Sequence, residues 1–211
     1  MNKKERITKV LDLLEESYKD TTTALNYGST FQLLVSTMLA AQSTDVRVNI
    51  VTRDFFAKYP DAKSMSTLSI KEIEKWIKSI GLYKSKAKNL YATCKILAEK
   101  YVDDIPATRE ELVKLPGVGR KTANVVLSIA KNIPAIAVDT HVFRLSNRIG
   151  LARAKDVLKT EQQLMKNIPK KKWSSAHHWL IWHGRKVCKA RRPLCKDCII
   201  LNYCTFKEKV L

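Results

Sequence analysis

The chain has 211 residues, with 39 Lys or Arg against 20 Asp or Glu, so its net charge at pH 7 is +19. This length can bury the core of one domain or two small ones, and the positive excess indicates a polyanionic partner. No apolar run approaches the roughly 18 residues that span a bilayer, which excludes a transmembrane protein. The N-terminus has acidic residues in a helical pattern, unlike a targeting peptide, so we expect a cytoplasmic, nucleoid-associated protein. We also expect it to be a monomer.

Hydrophobic residues recur at helical spacing along most of the chain, so the predicted fold class is all-α. A first amphipathic helix contains Ile7, Val10 and Leu14 and ends at Thr21. The later predicted helices are 31–41, 45–58, 70–80, 85–102, 108–114, 120–130, 140–149, 157–168 and 174–187. The short apolar run 135–138 has no nearby strand to pair with, and we predict a buried, extended connector there.

A glycine turn lies between two of these helices, in Leu-Pro-Gly-Val-Gly at residues 115–119. Gly117 and Gly119 suit a tight turn because glycine takes positive φ cheaply and lets the backbone approach a ligand closely. The next helix directs its free N–H groups and positive dipole end at the turn, which favours phosphate binding. We predict a helix-hairpin-helix that holds DNA phosphate through the backbone of Gly117, Val118 and Gly119, although ordinary helix–helix turns also favour glycine.

Residues 81–89 weakly repeat residues 116–124, with Lys86 in the place of Lys121. The second glycine of the turn is missing from this repeat. We therefore predict a related hairpin with a weaker phosphate site, and we expect Lys86 to be a surface lysine.

Lys121 and Asp139 are the candidate catalytic residues. Lys121 lies in the first turn of helix 120–130, where the helix dipole disfavours an ammonium and so favours a free, nucleophilic amine. Most lysines in so basic a chain are only solvated charges. Asp139 precedes the helix that begins at Thr140 and should cap it. A carboxylate held ionised there can also take a proton from the amine, so the pair indicates chemistry on a nucleic acid.

Four of the five cysteines lie in the last 24 residues. They are Cys188, Cys195, Cys198 and Cys204. In a chain without a secretion signal, such a group indicates a metal site rather than disulfides. The single Cys-x2-Cys pair is unusual for structural zinc, and the spacing matches no common ferredoxin pattern, so the residues alone leave zinc and iron-sulfur open. Cys94 stands apart on an apolar helix face.

A basic loop separates the first two of these cysteines. It contains Lys189, Arg191 and Arg192 and is suited to contact the DNA backbone.

The chain resembles the endonuclease III family of DNA glycosylases in the helix-hairpin-helix superfamily. The motifs that carry the resemblance cover nearly the whole chain: residues 33–45, 81–87, 115–126, 138–141 and 178–185. It implies two all-α domains flanking a DNA-binding cleft. Residues 23–133 would form a helical barrel that includes the hairpin, at about 108–130. Residues 1–22 and 134–211 would form an iron-sulfur domain in which the four cysteines, in the loop 188–204, hold a 4Fe-4S cluster.

The same resemblance implies a bifunctional DNA N-glycosylase and abasic-site lyase for oxidised pyrimidines in double-stranded DNA. Lys121 would be the Schiff-base lysine and Asp139 the catalytic aspartate, with strand cleavage 3′ to the abasic site by β-elimination. The damaged nucleotide would be flipped out of the duplex.

Side chains commonly fill the space that a flipped nucleotide leaves in the stack. By the resemblance these would be Gln42, Leu82 and His141. Leu82 is the strongest candidate, because an apolar residue in a turn between charged neighbours should not be fully buried. Asp45 is a further candidate for the same pocket, although an acid at a helix start more often only caps.

Two alternatives stay open. One is a monofunctional mismatch glycosylase, which is disfavoured because relatives that remove adenine from mispairs lack a lysine at the place of Lys121. The other is a non-catalytic DNA-binding module stapled by a metal.

Overall fold

The structure is a computed structural model that describes residues 1–101 and 104–211, and all the regular elements in these ranges are helical. The α-helices are α1 (Lys3–Tyr18), α2 (Thr30–Ala40), α3 (Asp45–Lys58), α4 (Ala62–Ser66), α5 (Ile70–Ile77), α6 (Tyr83–Lys100), α7 (Arg109–Leu112), α8 (Arg120–Ala130), α9 (Thr140–Arg148), α10 (Val157–Asn167) and α11 (Trp173–Lys186). Two short 3-10 helices cover Lys170–Lys172 and Leu201–Tyr203. The all-α prediction is confirmed. The predicted end of the fifth helix, Val102, lies outside the described residues.

Helix starts follow local capping chemistry. Ser29, Thr44 and Ser69 each accept an N–H of the first turn of the helix that follows. Helix α4 was not predicted, because its 5 residues are too few for a hydrophobic period, and the capping box at Asp61 is the signal that marks its start. At Thr108 only half of a capping box forms, since the Glu111 side chain accepts from the Thr108 hydroxyl.

The chain divides into two compact units, one of residues 24–133 and one of residues 1–23 and 134–211. In the unit 24–133, α6 packs against α2, α4 and α5, and α2 also packs against α3 and α8. Cys94 lies fully buried on the core face of α6, and burial raises the pKa of its thiol to about 12. It is therefore an inert packing residue, in agreement with its predicted place on an apolar helix face.

In the other unit, α11 packs against α1 and α9 around a core that includes Trp179. Residues 135–138 are buried and lie outside the regular elements, as predicted for a buried connector. The Arg6 guanidinium of α1 donates to the carbonyl groups of Ile149, Gly150 and Tyr203 and so ties the chain ends together. Among the described residues, none of the helices has the length and apolar character needed to cross a membrane.

Candidate active site and thiol centre

The turn between α7 and α8 requires glycine at one position and leaves the other open. Gly117 has φ +78°, and a Cβ there would lie 2.8 Å from Asn89 Nδ2, so conformation and space both demand glycine. Gly119 is the N-cap of α8 with an ordinary φ of −89°, and a Cβ there would meet nothing within 4 Å. Thr93 Oγ1 donates to the Pro116 carbonyl at 2.9 Å, which anchors the turn to α6.

The backbone N–H groups of this turn differ in availability. The Val118 N–H already donates to the Leu115 carbonyl at 3.1 Å, and its side chain is only 5% exposed. Within the part of the chain that the structure describes, the N–H groups of Gly117 and Gly119 have no partner. Val118 is thus a packing residue, and the two glycine N–H groups are the free donors next to the positive end of α8.

Lys121 is the second residue of α8 and its side chain is exposed. Among the described residues, no carboxylate pairs with it. An exposed amine next to free N–H donors is accessible to an anionic ligand held by those donors.

Asp139 is the N-cap of α9, as predicted, and its Oδ1 accepts the Val142 N–H at 2.8 Å. Within the described residues its Oδ2 has no hydrogen-bond partner, so this oxygen is open to a ligand. His141 is half-buried in the first turn of α9, where its Nδ1 lies 3.3 Å from an Arg144 nitrogen.

Gln42 and Leu82 lie at two touching turns of the unit 24–133. Both are exposed and both have left-handed backbones, with φ of 55° and 58°, a conformation that costs roughly 1–2 kcal/mol for a residue other than glycine. Leu82 is 59% exposed, which confirms the expectation that it is not buried. Asp45, by contrast, is the first residue of α3 and not its cap, which is Thr44.

Lys86 corrects the sequence prediction, because it is buried rather than on the surface, with 8% exposure. Its ammonium donates to the Leu39 and Ala41 carbonyls at 2.9 and 2.5 Å and to Ser43 Oγ at 3.2 Å. Burial lowers the pKa of the amine. The sequence did contain a signal for this burial, because Lys86 lies on the same face of α6 as the buried Leu90, Thr93 and Leu97.

The four cysteines border one cavity with about 330 Å³ of empty space, counting its opening to solvent. Its other walls are mostly apolar, with Pro193, Leu194 and Phe206 among them. Burial raises the pKa of the Cys198 thiol to about 11 and also raises that of Cys204, so a cationic centre is needed to hold both as thiolates.

Polar groups of the surrounding helices approach these sulfur atoms. His183 Nε2 lies 3.5 Å from Cys198 Sγ, and Arg148 Nη1 lies 3.6 Å from Cys188 Sγ. Among the described residues, no set of three or more His, Cys, Asp or Glu side chains is arranged to hold a single metal ion. The four thiols therefore share one cavity.

The basic loop after Cys188 is exposed and held by arginines that sequence reasoning missed. Arg148 donates to the carbonyls of Lys189 and Ala190 at 2.7 and 3.0 Å, and Arg144 donates to the Cys188 carbonyl at 2.9 Å. Their i, i+4 spacing on α9 was the available signal. The side chains of Lys189, Arg191 and Arg192 stay free for solvent or an anion.

Comparisons with known proteins agree with these features. A sequence profile described as "HhH-GPD superfamily base excision DNA repair protein" matches residues 35–170. Endonuclease III of Escherichia coli strain K12 is 46% identical over 210 residues, covering 100% of this chain and 99% of its own. Endonuclease III of Bacillus subtilis strain 168 is 46% identical over 200 residues, covering 94% and 91%.

Solved structures extend the comparison to three dimensions. A trapped endonuclease III–DNA covalent intermediate is 46% identical, with a TM-score of 0.91 over 97% of both chains. A thermostable thymine-DNA glycosylase shares the fold at 22% identity, with a TM-score of 0.87 over 98% of both chains. The chain therefore belongs to the HhH-GPD superfamily of base excision DNA repair proteins and, within it, to the endonuclease III family.

Proposed function

We propose that the protein is a base excision repair enzyme, a bifunctional DNA N-glycosylase and abasic-site lyase for oxidised pyrimidines in double-stranded DNA. The observation that carries this proposal is the exposed amine of Lys121 beside the free N–H groups of Gly117 and Gly119. The related endonuclease III has been trapped as a covalent intermediate with DNA, as expected for an enzyme with an amine nucleophile. We further propose that the protein acts as a monomer at the nucleoid.

In the first half of the proposed reaction, the Lys121 amine attacks C1′ of the flipped nucleotide. The bond from C1′ to the base breaks, and the base leaves with the electron pair and takes a proton from water. The C1′–O4′ bond then opens to give a protonated imine between Nζ and C1′. Asp139 accepts the proton that the amine loses and returns it to the ring oxygen, because the Val142 N–H occupies only Oδ1 and leaves Oδ2 available.

The second half cuts the strand. The protonated imine withdraws electrons, so the proton at C2′ becomes acidic and is transferred to water. The electron pair that remains at C2′ expels the 3′ phosphate by β-elimination, and water hydrolyses the imine to regenerate Lys121. An amine is required because a carboxylate or imidazole cannot form this electron-withdrawing adduct.

We assign DNA contacts to both units. The Gly117 and Gly119 N–H groups would hold a phosphate, and the exposed side chains of Lys189, Arg191 and Arg192 would contact the backbone elsewhere. Gln42, Leu82 and His141 would fill the space left by the flipped nucleotide.

We propose that the four cysteines hold a 4Fe-4S cluster rather than zinc. They border one cavity, so a single group bound there could take all four as ligands. Membership of the endonuclease III family favours the cluster. When bound, the cluster would cross-link residues 188–204 and hold the basic loop, and the proposed reaction needs no redox step. Residues 24–133 would then be the hairpin domain and the other unit the iron-sulfur domain.

The lyase proposal is tested with a duplex that contains an oxidised thymine, treated with borohydride in the presence of wild-type protein or the Lys121→Gln variant. We expect a covalent protein–DNA adduct with wild type and none with the variant. Base release by wild type without any adduct would instead establish a monofunctional glycosylase. Binding of the duplex with the lesion left intact would establish a non-catalytic module.

The cofactor proposal is tested by metal analysis of the purified protein. We expect four iron atoms per chain and a brown colour. A colourless protein with zinc and no iron would overturn the cluster assignment and leave the lyase assignment standing.

A further inference from the structure

The buried ammonium of Lys86 joins two turns that the proposed function uses for one purpose. Its nitrogen contacts the Leu39 and Ala41 carbonyls and Ser43 Oγ, all at the C-terminal end of α2. The last carbonyls of a helix lack intrahelical donors and carry the negative end of its dipole, so a cation satisfies both needs. Lys86 therefore fixes the segment in which Gln42 lies.

The same contact reaches the second turn through Ser43. Ser43 Oγ accepts one hydrogen bond from Lys86 and another from the Gly81 N–H, at 3.2 Å in each case. A Cβ on Gly81 would lie 3.2 Å from the Gln42 carbonyl oxygen, so the two turns are in contact. Leu82 follows Gly81 directly, and one buried amine thus restrains both turns.

Gln42 and Leu82 share a further property, since each is an exposed residue in a left-handed backbone. Such backbones persist only where the surroundings over-determine them. Around Gln42 those surroundings include the two carbonyls bound to Lys86, and at Leu82 they include the Ser43–Gly81 hydrogen bond.

We propose that Lys86 is a positioning residue that holds Gln42 and Leu82 as one preorganised pair for filling the DNA stack. This inference rests on the proposed function, because the pair matters only if a nucleotide is flipped. Lys86 itself is buried, so in this proposal it neither contacts the DNA nor takes part in the reaction of Lys121. By binding the carbonyl groups, the Lys86 ammonium would fix the shape of the surface that contacts DNA. This role accounts for a buried lysine that takes no part in the proposed reaction.

The test compares wild type with Lys86→Met, which has a side chain of similar length but cannot donate the three hydrogen bonds. Lys88→Met is the matched control, since it removes the same charge from an exposed position on the same helix. Two measurements are made on each protein: single-turnover excision of an oxidised thymine from a duplex, and fluorescence of a 2-aminopurine opposite a tetrahydrofuran abasic analogue at saturating protein.

We expect Lys86→Met to slow excision about tenfold or more and to reduce the fluorescence change, because small misplacements of positioning groups have large kinetic effects. The Gln42→Ala/Leu82→Ala variant should show a similar loss, and adding Lys86→Met to it should change the rate by less than about twofold, since coupled sites are not additive. Lys88→Met should match wild type. Borohydride trapping should still reach completion in Lys86→Met at long times.

Wild-type kinetics in folded Lys86→Met, or full additivity with the Gln42/Leu82 pair, would overturn the positioning role. A wild-type protein that neither excises nor forms an adduct would instead overturn the proposed function. If Lys86→Met is unfolded at the assay temperature, Ser43→Ala replaces it, because it removes only the hydroxyl that links the two turns. It should show a smaller loss of excision with the same non-additivity, and an unchanged fluorescence signal would overturn the proposal.

Discussion

The hairpins α5–α6 and α7–α8 are related in sequence and differ in what occupies two matched positions. At the first position both backbones are left-handed, with φ of 58° at Leu82 and 78° at Gly117. At the second, Lys86 is buried against carbonyls whereas Lys121 is exposed. One hairpin therefore presents an apolar side chain and uses its amine internally, and the other presents bare N–H groups and a free amine. A repeated backbone thus presents two different surfaces to solvent.

Exchanging each lysine for methionine separates these roles most strongly. Lys121→Met should reduce borohydride trapping at least about a thousandfold, because it removes the proposed nucleophile, and it should barely change Tm because the side chain is exposed. Lys86→Met should keep the trapped adduct but lower the free energy of unfolding by about 1–3 kcal/mol, because buried acceptors lose their donor. Trapping yield and thermal unfolding measure the two effects. If Lys121→Met still formed the adduct and Lys86→Met did not, Lys86 rather than Lys121 would be the nucleophile.

Gly117→Ala tests the demand for glycine in the second hairpin. We expect a loss of about 2 kcal/mol or more in unfolding free energy, because alanine is strained at φ +78° and its Cβ would overlap Asn89. Thermal or urea unfolding gives the value. A Gly117→Ala variant as stable as wild type would show that the turn can relax away from Asn89 on α6.

The two hairpins also show which features of the structure can be predicted from the sequence and which cannot. Local signals were sufficient for most helices, with the short α4 missed: hydrophobic period gave α8 its correct bounds, and the Asp139 cap followed from its place before α9. The all-α fold and the family were predicted correctly. The catalytic roles of Lys121 and Asp139 and the division into functional domains stay predictions.

Lys86 was predicted wrongly for a physical reason. A lysine is expected at the surface unless partners are known, and its partners Leu39 and Ala41 lie on another helix far away in the sequence. Cysteine spacing failed in a similar way, since it cannot separate one ion from a cluster, and only the shared cavity in the structure adds an argument. Features set by contacts between distant segments are the ones that local patterns leave out.

Leu82→Gly should make the first hairpin resemble the second. Glycine relieves the left-handed strain at φ 58°, and the 59% exposed leucine contributes little burial, so we expect unfolding free energy to rise by about 1 kcal/mol. The same change should slow excision of an oxidised thymine several-fold if, as proposed, this apolar side chain fills the DNA stack. Higher Tm together with slower excision is the expected pair of results. A lower Tm would show that Leu82 is held by packing rather than under strain.

Gly119→Ala should have the smallest effect and sharpens the comparison within the second hairpin. Since a Cβ at Gly119 meets no atom within 4 Å and φ is −89°, alanine should fold there without strain, unlike alanine at Gly117. The added methyl group would stand where a phosphate must approach the free N–H groups, so duplex binding should weaken by about 1 kcal/mol, roughly fivefold in Kd. Binding titrations at fixed salt measure this change, with unfolding of the same protein as the control. Unchanged affinity would mean that no phosphate binds over Gly119. A loss of affinity at constant Tm would instead place the DNA phosphate over Gly119, because folding would then depend on Gly117 and binding on Gly119.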